Sequence, residues 1–99
     1  MSFIKRLEKN IAKLEKNIEK KRVEIESLRV KCESHKIPRA EFNIKKEQFE
    51  EKIRSMDSRV RALKGRMARE KRHLEEKAEE KRKKKEEKAE KKEEGRRID

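Results

Sequence analysis

The sequence predicts an all-α protein, an antiparallel two-helix coiled-coil hairpin over residues 1–74 followed by a highly charged helical extension over 75–99. Three observations carry this expectation. Only 29% of the 99 residues are hydrophobic and 57% are charged, too little apolar surface for a rounded core to offset chain entropy. A coiled coil needs only two apolar positions in seven, and the dominance of Glu, Lys, Arg, Leu and Ala suits long helices. The apolar residues follow a seven-residue repeat that breaks once, near the only proline, Pro38.

The first helix is expected over 2–34. Ile4, Ile11, Ile18, Ile25 and Cys32 recur every seven residues, and Leu7, Leu14, Lys21, Leu28 and His35 follow the same spacing three residues later. These are positions a and d of a heptad. Lys21 interrupts the d row, so its ammonium has to snorkel out of the seam or meet a carboxylate. A turn is expected over 35–38, because proline disfavours helical geometry at Ile37 and commonly opens the next helix. Ile37 is placed to pack on Phe42 as a hydrophobic staple, and Glu41 falls in a first turn, where the helix dipole favours a carboxylate.

The second helix is expected over 39–74. Phe42, Phe49, Met56 and Leu63 occupy d, while Ile53, Val60, Met67 and Leu74 occupy a; Lys46 and Glu70 are the exceptions. Beyond Leu74 the apolar row ends, and residues 75–94 are Glu, Lys and Arg apart from Ala78 and Ala89. Pairs such as Glu79–Lys83, Glu80–Lys84 and Glu87–Lys91 have the spacing that supports a solvated single helix, at about 0.2–0.5 kcal/mol each. Gly95 is expected to end it, with a frayed terminus.

A parallel dimer is the competing arrangement, since Ile at a with Leu at d also suits it. The two apolar rows match in length about Pro38 and the connector is short, which favours a hairpin in which facing residue numbers sum to about 74. Antiparallel pairing sets e near e and g near g. Glu8 then approaches Lys64 and Lys71, Glu15 approaches Lys64, Arg22 approaches Glu50 and Asp57, Glu24 approaches Lys52, and Arg29 approaches Glu50. One pairing, Lys31 with Lys45, is repulsive. Individually weak, such pairs select orientation by their consistent sign.

With 34 basic and 22 acidic residues the formal net charge is +12, a balance that attracts polyanions. Cys32 has no second cysteine to bridge to and reads as a small apolar residue in a reducing compartment. No apolar run approaches the roughly 20 residues of a membrane span. The start Met1-Ser2-Phe3-Ile4-Lys5-Arg6 lacks the apolar run of a secretory signal, so a cytoplasmic location without membrane association is expected. No catalytic site, metal site, cofactor or small-molecule substrate is expected. His35 and His73 fall far apart in the hairpin, Cys32 and His35 alone are too few ligands, and no phosphate loop or nucleophile elbow can be read.

The stretch Arg59–Arg72 holds seven basic residues against one acid, and five of the seven are Arg. Val60, Leu63 and Met67 turn into the seam, leaving Arg61, Gly65, Ala68, Arg69 and Arg72 outward. Small residues at 65 and 68 would let a phosphate backbone approach closely, and arginine offers bidentate donors. A mid-helix glycine costs about 1 kcal/mol relative to alanine, so Gly65 asks for a reason. The hairpin would bring Lys5, Arg6, Lys9 and Lys13 to the same level. Candidate nucleic-acid contacts are therefore Lys5, Arg6, Lys9, Lys13, Arg59, Arg61, Lys64, Gly65, Arg66, Arg69, Lys71 and Arg72. The bland alternative is a solvated face that keeps a coiled coil soluble.

With no Trp or Tyr, stacking on unpaired bases is not expected, and no helix-turn-helix, basic zipper or zinc finger is present. What remains is reading a folded duplex by charge and shape. The expectation is a non-catalytic protein binding structured RNA, favoured over DNA, as a ribosomal or ribosome-associated component of a ribonucleoprotein. A different class is a coiled-coil structural or adaptor subunit, with Val23 and Val30, opposite the seam, as a docking stripe for a protein partner. Chromatin-associated DNA binding is a third reading.

Overall fold

The structure is a computed structural model that describes the backbone of residues 2–97 and the side chains of residues 2–91. It contains two α-helices, α1 over Phe3–Glu33 and α2 over Arg39–Arg97, and no strand among the described residues. Each boundary has a local cause. Ser2 caps α1, its Oγ accepting from the Lys5 N–H at 3.2 Å and its carbonyl from the Arg6 N–H at 3.1 Å, which occupies donors the first turn cannot pair internally. The expected first helix, 2–34, thus includes its two caps, Ser2 and Ser34.

The end of α1 is set before the proline is reached. The Ser34 N–H and Oγ both donate to the Val30 carbonyl, at 2.9 Å and 2.8 Å. His35 adopts φ 60°, in the left-handed region. The His35 N–H then reaches the Cys32 carbonyl at 3.0 Å and the Lys36 N–H the Lys31 carbonyl at 2.8 Å. This is the Schellman pattern, in which the last carbonyls find donors by winding the chain backwards. Glycine usually takes that position; histidine is among the few other side chains enriched there. Pro38 acts next, its carbonyl accepting the Phe42 N–H at 3.1 Å as α2 begins. Glu41 stands in the first turn of α2 and pairs with Lys45 at 3.0 Å.

The chain divides into two compact units, Met1–Met67 and Ala68–Asp99. In the first, Leu7, Ile11, Ile18 and Val60 are buried. Ile11, Ile18 and Val60 form the cluster against which Leu14, Ile53, Met56, Leu63 and Met67 pack. All are expected a or d residues. Burial thins toward the turn, where Ile25, Leu28, Cys32, Phe42 and Phe49 are only half-buried. There the two interrupting lysines lie over aromatic rings. The Lys21 Nζ is 5.2 Å from the Phe49 centroid and 3.4 Å from Glu24; the Lys46 Nζ is 5.9 Å from the Phe42 centroid. Each keeps its methylene stem against apolar surface and its charge in a favourable field.

The second unit is the later part of α2, and residues 71–91 are exposed throughout. Leu74, expected at the end of the apolar row, is 48% exposed. None of the expected pairs Glu79–Lys83, Glu80–Lys84 and Glu87–Lys91 closes to an ion pair; those found lie between Glu15 and Lys64 in the sequence. On a fully hydrated helix such contacts gain too little to immobilise two long side chains. The helix also passes through Gly95, where an end was expected, and continues to Arg97. A glycine near a terminus permits a stop without requiring one. The fraying expected at the terminus falls on residues whose side chains, or for 98–99 whose backbone too, lie outside those described.

Candidate nucleic-acid interface

Every one of the twelve expected contact residues is exposed. Lys5, Arg6, Lys9, Lys13, Arg59, Arg61, Lys64, Gly65 and Arg66 belong to the first unit; Arg69, Lys71 and Arg72 belong to the second, within one turn of α2. Within the first unit the cations differ in what they already bind. Lys64 pairs with Glu15 at 3.2 Å, the one cross-helix ion pair among the described residues and one that the heptad register anticipated. Arg61 pairs with Asp57 one turn back, at 3.1 Å. Lys5, Arg6, Lys9, Lys13, Arg59 and Arg66 make no ion pair among the described residues. Arg66 instead lies over the Phe3 ring, 5.0 Å from its centroid.

The heptad explains the difference. On the e flank of the seam α1 presents Glu8 and Glu15, and α2 presents Lys64. On the g flank α1 presents Asn10 and Asn17, and α2 presents Arg59 and Arg66. A carboxamide cannot neutralise a guanidinium, so α1 offers Arg59 and Arg66 no carboxylate at these positions. That flank carries a groove of about 470 Å³ lined by Asn10, Lys13, Leu14, Asn17, Arg59, Ala62 and Leu63. Asn10 and Asn17 were not among the residues picked out from the sequence. Their positions, opposite in flank to Glu8 and Glu15 within the same two heptads, were a legible signal.

Elsewhere the cross-helix charge pairs resolve differently from expectation. Arg29 does not reach Glu50: it pairs with Glu26 and Glu33 on its own helix. The hydrogen bond from Arg29 holds the Glu26 carboxyl below the usual carboxylate range, and the two carboxylates raise the Arg29 guanidinium pKa further. Glu50 faces Lys46 at 3.9 Å, and Asp57 is taken by Arg61 rather than Arg22. Lys31 and Lys45, expected to face each other, both line a hollow beside Glu24 and Phe49. Lys45 pairs with the Glu41 carboxylate one turn back on its own helix.

Gly65 has open space around it: a methyl group at its Cα would meet no atom within 4 Å. No packing contact among the described residues requires a glycine at this point. Val23 and Val30 are 60% and 50% exposed, and Ile44, not anticipated from the sequence, is 61% exposed. In the heptad all three stand at f, farthest from the seam on their respective helices. Cys32 and His35 line a shallow hollow at the turn with Glu33, Lys36, Ile37, Pro38 and Arg39. Among the described residues no group of three His, Cys, Asp or Glu side chains is arranged to hold a metal ion. No described helix is long and apolar enough to cross a membrane.

Compared with protein-family models, curated proteins and solved structures, the chain matches none.

Proposed function

We propose that this chain is an antiparallel two-helix coiled-coil hairpin with no catalytic role, which binds structured RNA through phosphate contacts. A ribosomal or ribosome-associated particle is the setting that suits it. The hairpin reading is supported by the order of the cross-helix contacts. Phe3 meets Arg66, Glu15 meets Lys64 and Lys21 meets Phe49, so rising numbers on α1 meet falling numbers on α2. The observation that carries the RNA reading is the set of unneutralised cations on the first unit: Lys5, Arg6, Lys9, Lys13, Arg59 and Arg66, beside exposed Gly65. A face that served only solubility would gain from the carboxylates used freely elsewhere in the chain. Arg69, Lys71 and Arg72 continue the basic sequence in the second unit.

Phosphate binding of this kind releases counterions, so affinity must fall steeply with salt. The test is association of the chain with folded RNA and with ribosomes, compared with the quadruple variant R61E/R66E/R69E/R72E. Loss of association with helicity retained in circular dichroism is the expected result. Co-sedimentation of the variant at the wild-type level would overturn the reading. A coiled-coil adaptor is the second reading, favoured by the exposure of Val23 and Val30 on the face opposite the seam. It requires a discrete complex in analytical ultracentrifugation that persists in moderate salt.

A further inference from the structure

The groove on the asparagine flank sets two of the candidate cations, and two carboxamides, around an apolar floor. Leu14, Leu63 and Ala62 supply apolar surface, Lys13 and Arg59 supply charge, and Asn10 and Asn17 supply hydrogen-bonding groups, all around about 470 Å³. We propose that this groove is a subsite for a single nucleotide of the bound RNA. The phosphate lies against Lys13 and Arg59, and the sugar and base lie over the apolar floor within reach of the two carboxamides. This rests on the RNA reading above and names the place where one nucleotide leaves the general field of the phosphate backbone.

Three features select that occupant. Neither cation has a carboxylate partner among the described residues, so an anion entering the groove displaces no internal ion pair. A bare phosphate would leave most of the volume and the aliphatic floor uncovered. A lone carboxylate would meet the cations and likewise leave the floor open. A carboxamide, in contrast, presents a donor and an acceptor together, which match a base edge or a ribose 2′-hydroxyl. The aliphatic floor and the flat Arg59 guanidinium take the place of the aromatic platforms this chain lacks.

The asparagines also report on the groove. Asn10 and Asn17 are two of only three asparagines in the chain, and Gln48 is the only glutamine, so the side-chain amide signals are four and separable by NMR. Titration of the full chain with adenosine or uridine 5′-monophosphate is expected to move the Asn10 and Asn17 signals while Asn43 and Gln48 stay still. Inorganic phosphate should move them less. N10D/N17D, which gives the g flank carboxylates like those of the e flank, is expected to weaken binding of a stem-loop RNA at least tenfold and to flatten its salt dependence. N10A/N17A keeps the charge and should weaken binding about threefold to tenfold through the lost hydrogen bonds. Tight RNA binding left unchanged by both double variants, with still asparagine signals, would overturn the subsite and leave the RNA reading standing. Binding of poly-glutamate with no response to nucleotides or RNA would overturn both.

Discussion

The two halves of α2 are one helix by backbone and two different objects by physics. From Phe49 to Met67 an apolar residue returns every three or four positions, and Ile53, Met56, Val60, Leu63 and Met67 pack with α1 side chains in one cluster. From 71 to 91 every residue is exposed and charged pairs at helical spacing do not close. The first half is helical because the helix buries something. The second is helical because Glu, Lys, Arg and Ala lose little by being so. Burial fixes partners and register; propensity fixes only backbone conformation.

The largest way to break this contrast is to open the core. Ile18→Ala should cost the first unit ~2–5 kcal/mol, a large part of what so thin a core can supply. Thermal melting followed at amides near 11–18 and 53–63 should drop sharply, while the 75–91 helix signal stays as it was. Equal losses in both regions would mean that they do not differ in the way described. The converse is Ala78→Gly with Ala89→Gly. Each substitution removes about 1 kcal/mol of helix propensity, so helical signal should fall over 75–91 with the midpoint of the first unit unchanged.

Two smaller changes should stabilise. His35→Gly relieves the left-handed residue that closes α1 and should add about 1 kcal/mol, read as a higher midpoint in urea. Gly65→Ala has room for its methyl group and should add about 0.5–1 kcal/mol. In the same variant RNA affinity should fall if a phosphate approaches the helix backbone there. The smallest effect is electrostatic. Because Arg29 depresses the Glu26 carboxyl, their contact is present above the ordinary glutamate range and is lost as pH falls through the lowered value. An NMR titration of Glu26 in wild type and in Arg29→Ala should show the midpoint move up in the variant.

Sequence reasoning reached the helices and their apolar rows because a seven-residue period is a property of spacing alone. The helices part on either side of residues 34–38, and the cause lies three residues before Pro38: nothing in His35 as a letter announces a positive φ, which depends on donors from His35 and Lys36 meeting two carbonyls at once. The charge pairs were legible only where the register left one choice. Glu15 has Lys64 opposite, whereas Arg29 has carboxylates on its own helix at closer spacing and takes those. Asn10 and Asn17 escaped notice for another reason. A tally of charges counts neutral residues as blanks, and the information lay in which flank of the seam held the blank. The exposed Ile44 lies off the apolar rows, and reading only those rows passed over it.

Lys21 and Lys46, each lodged over a phenylalanine inside the apolar rows, have a consequence for self-association. Two copies of α1 zipped side by side in the same direction would set one Lys21 ammonium against the other, and two copies of α2 would do the same with Lys46. Within a single folded chain Lys21 instead finds the Phe49 ring of α2 beside Glu24, while Lys46 lies over Phe42 and near Glu50 on its own helix. Lys21 alone senses the register: sliding the helices by a heptad would take it off Phe49, whereas Lys46 keeps Phe42 and Glu50, both on its own helix. A pair of substitutions to leucine would thus make the rows more apolar and the molecule less certain of its own company.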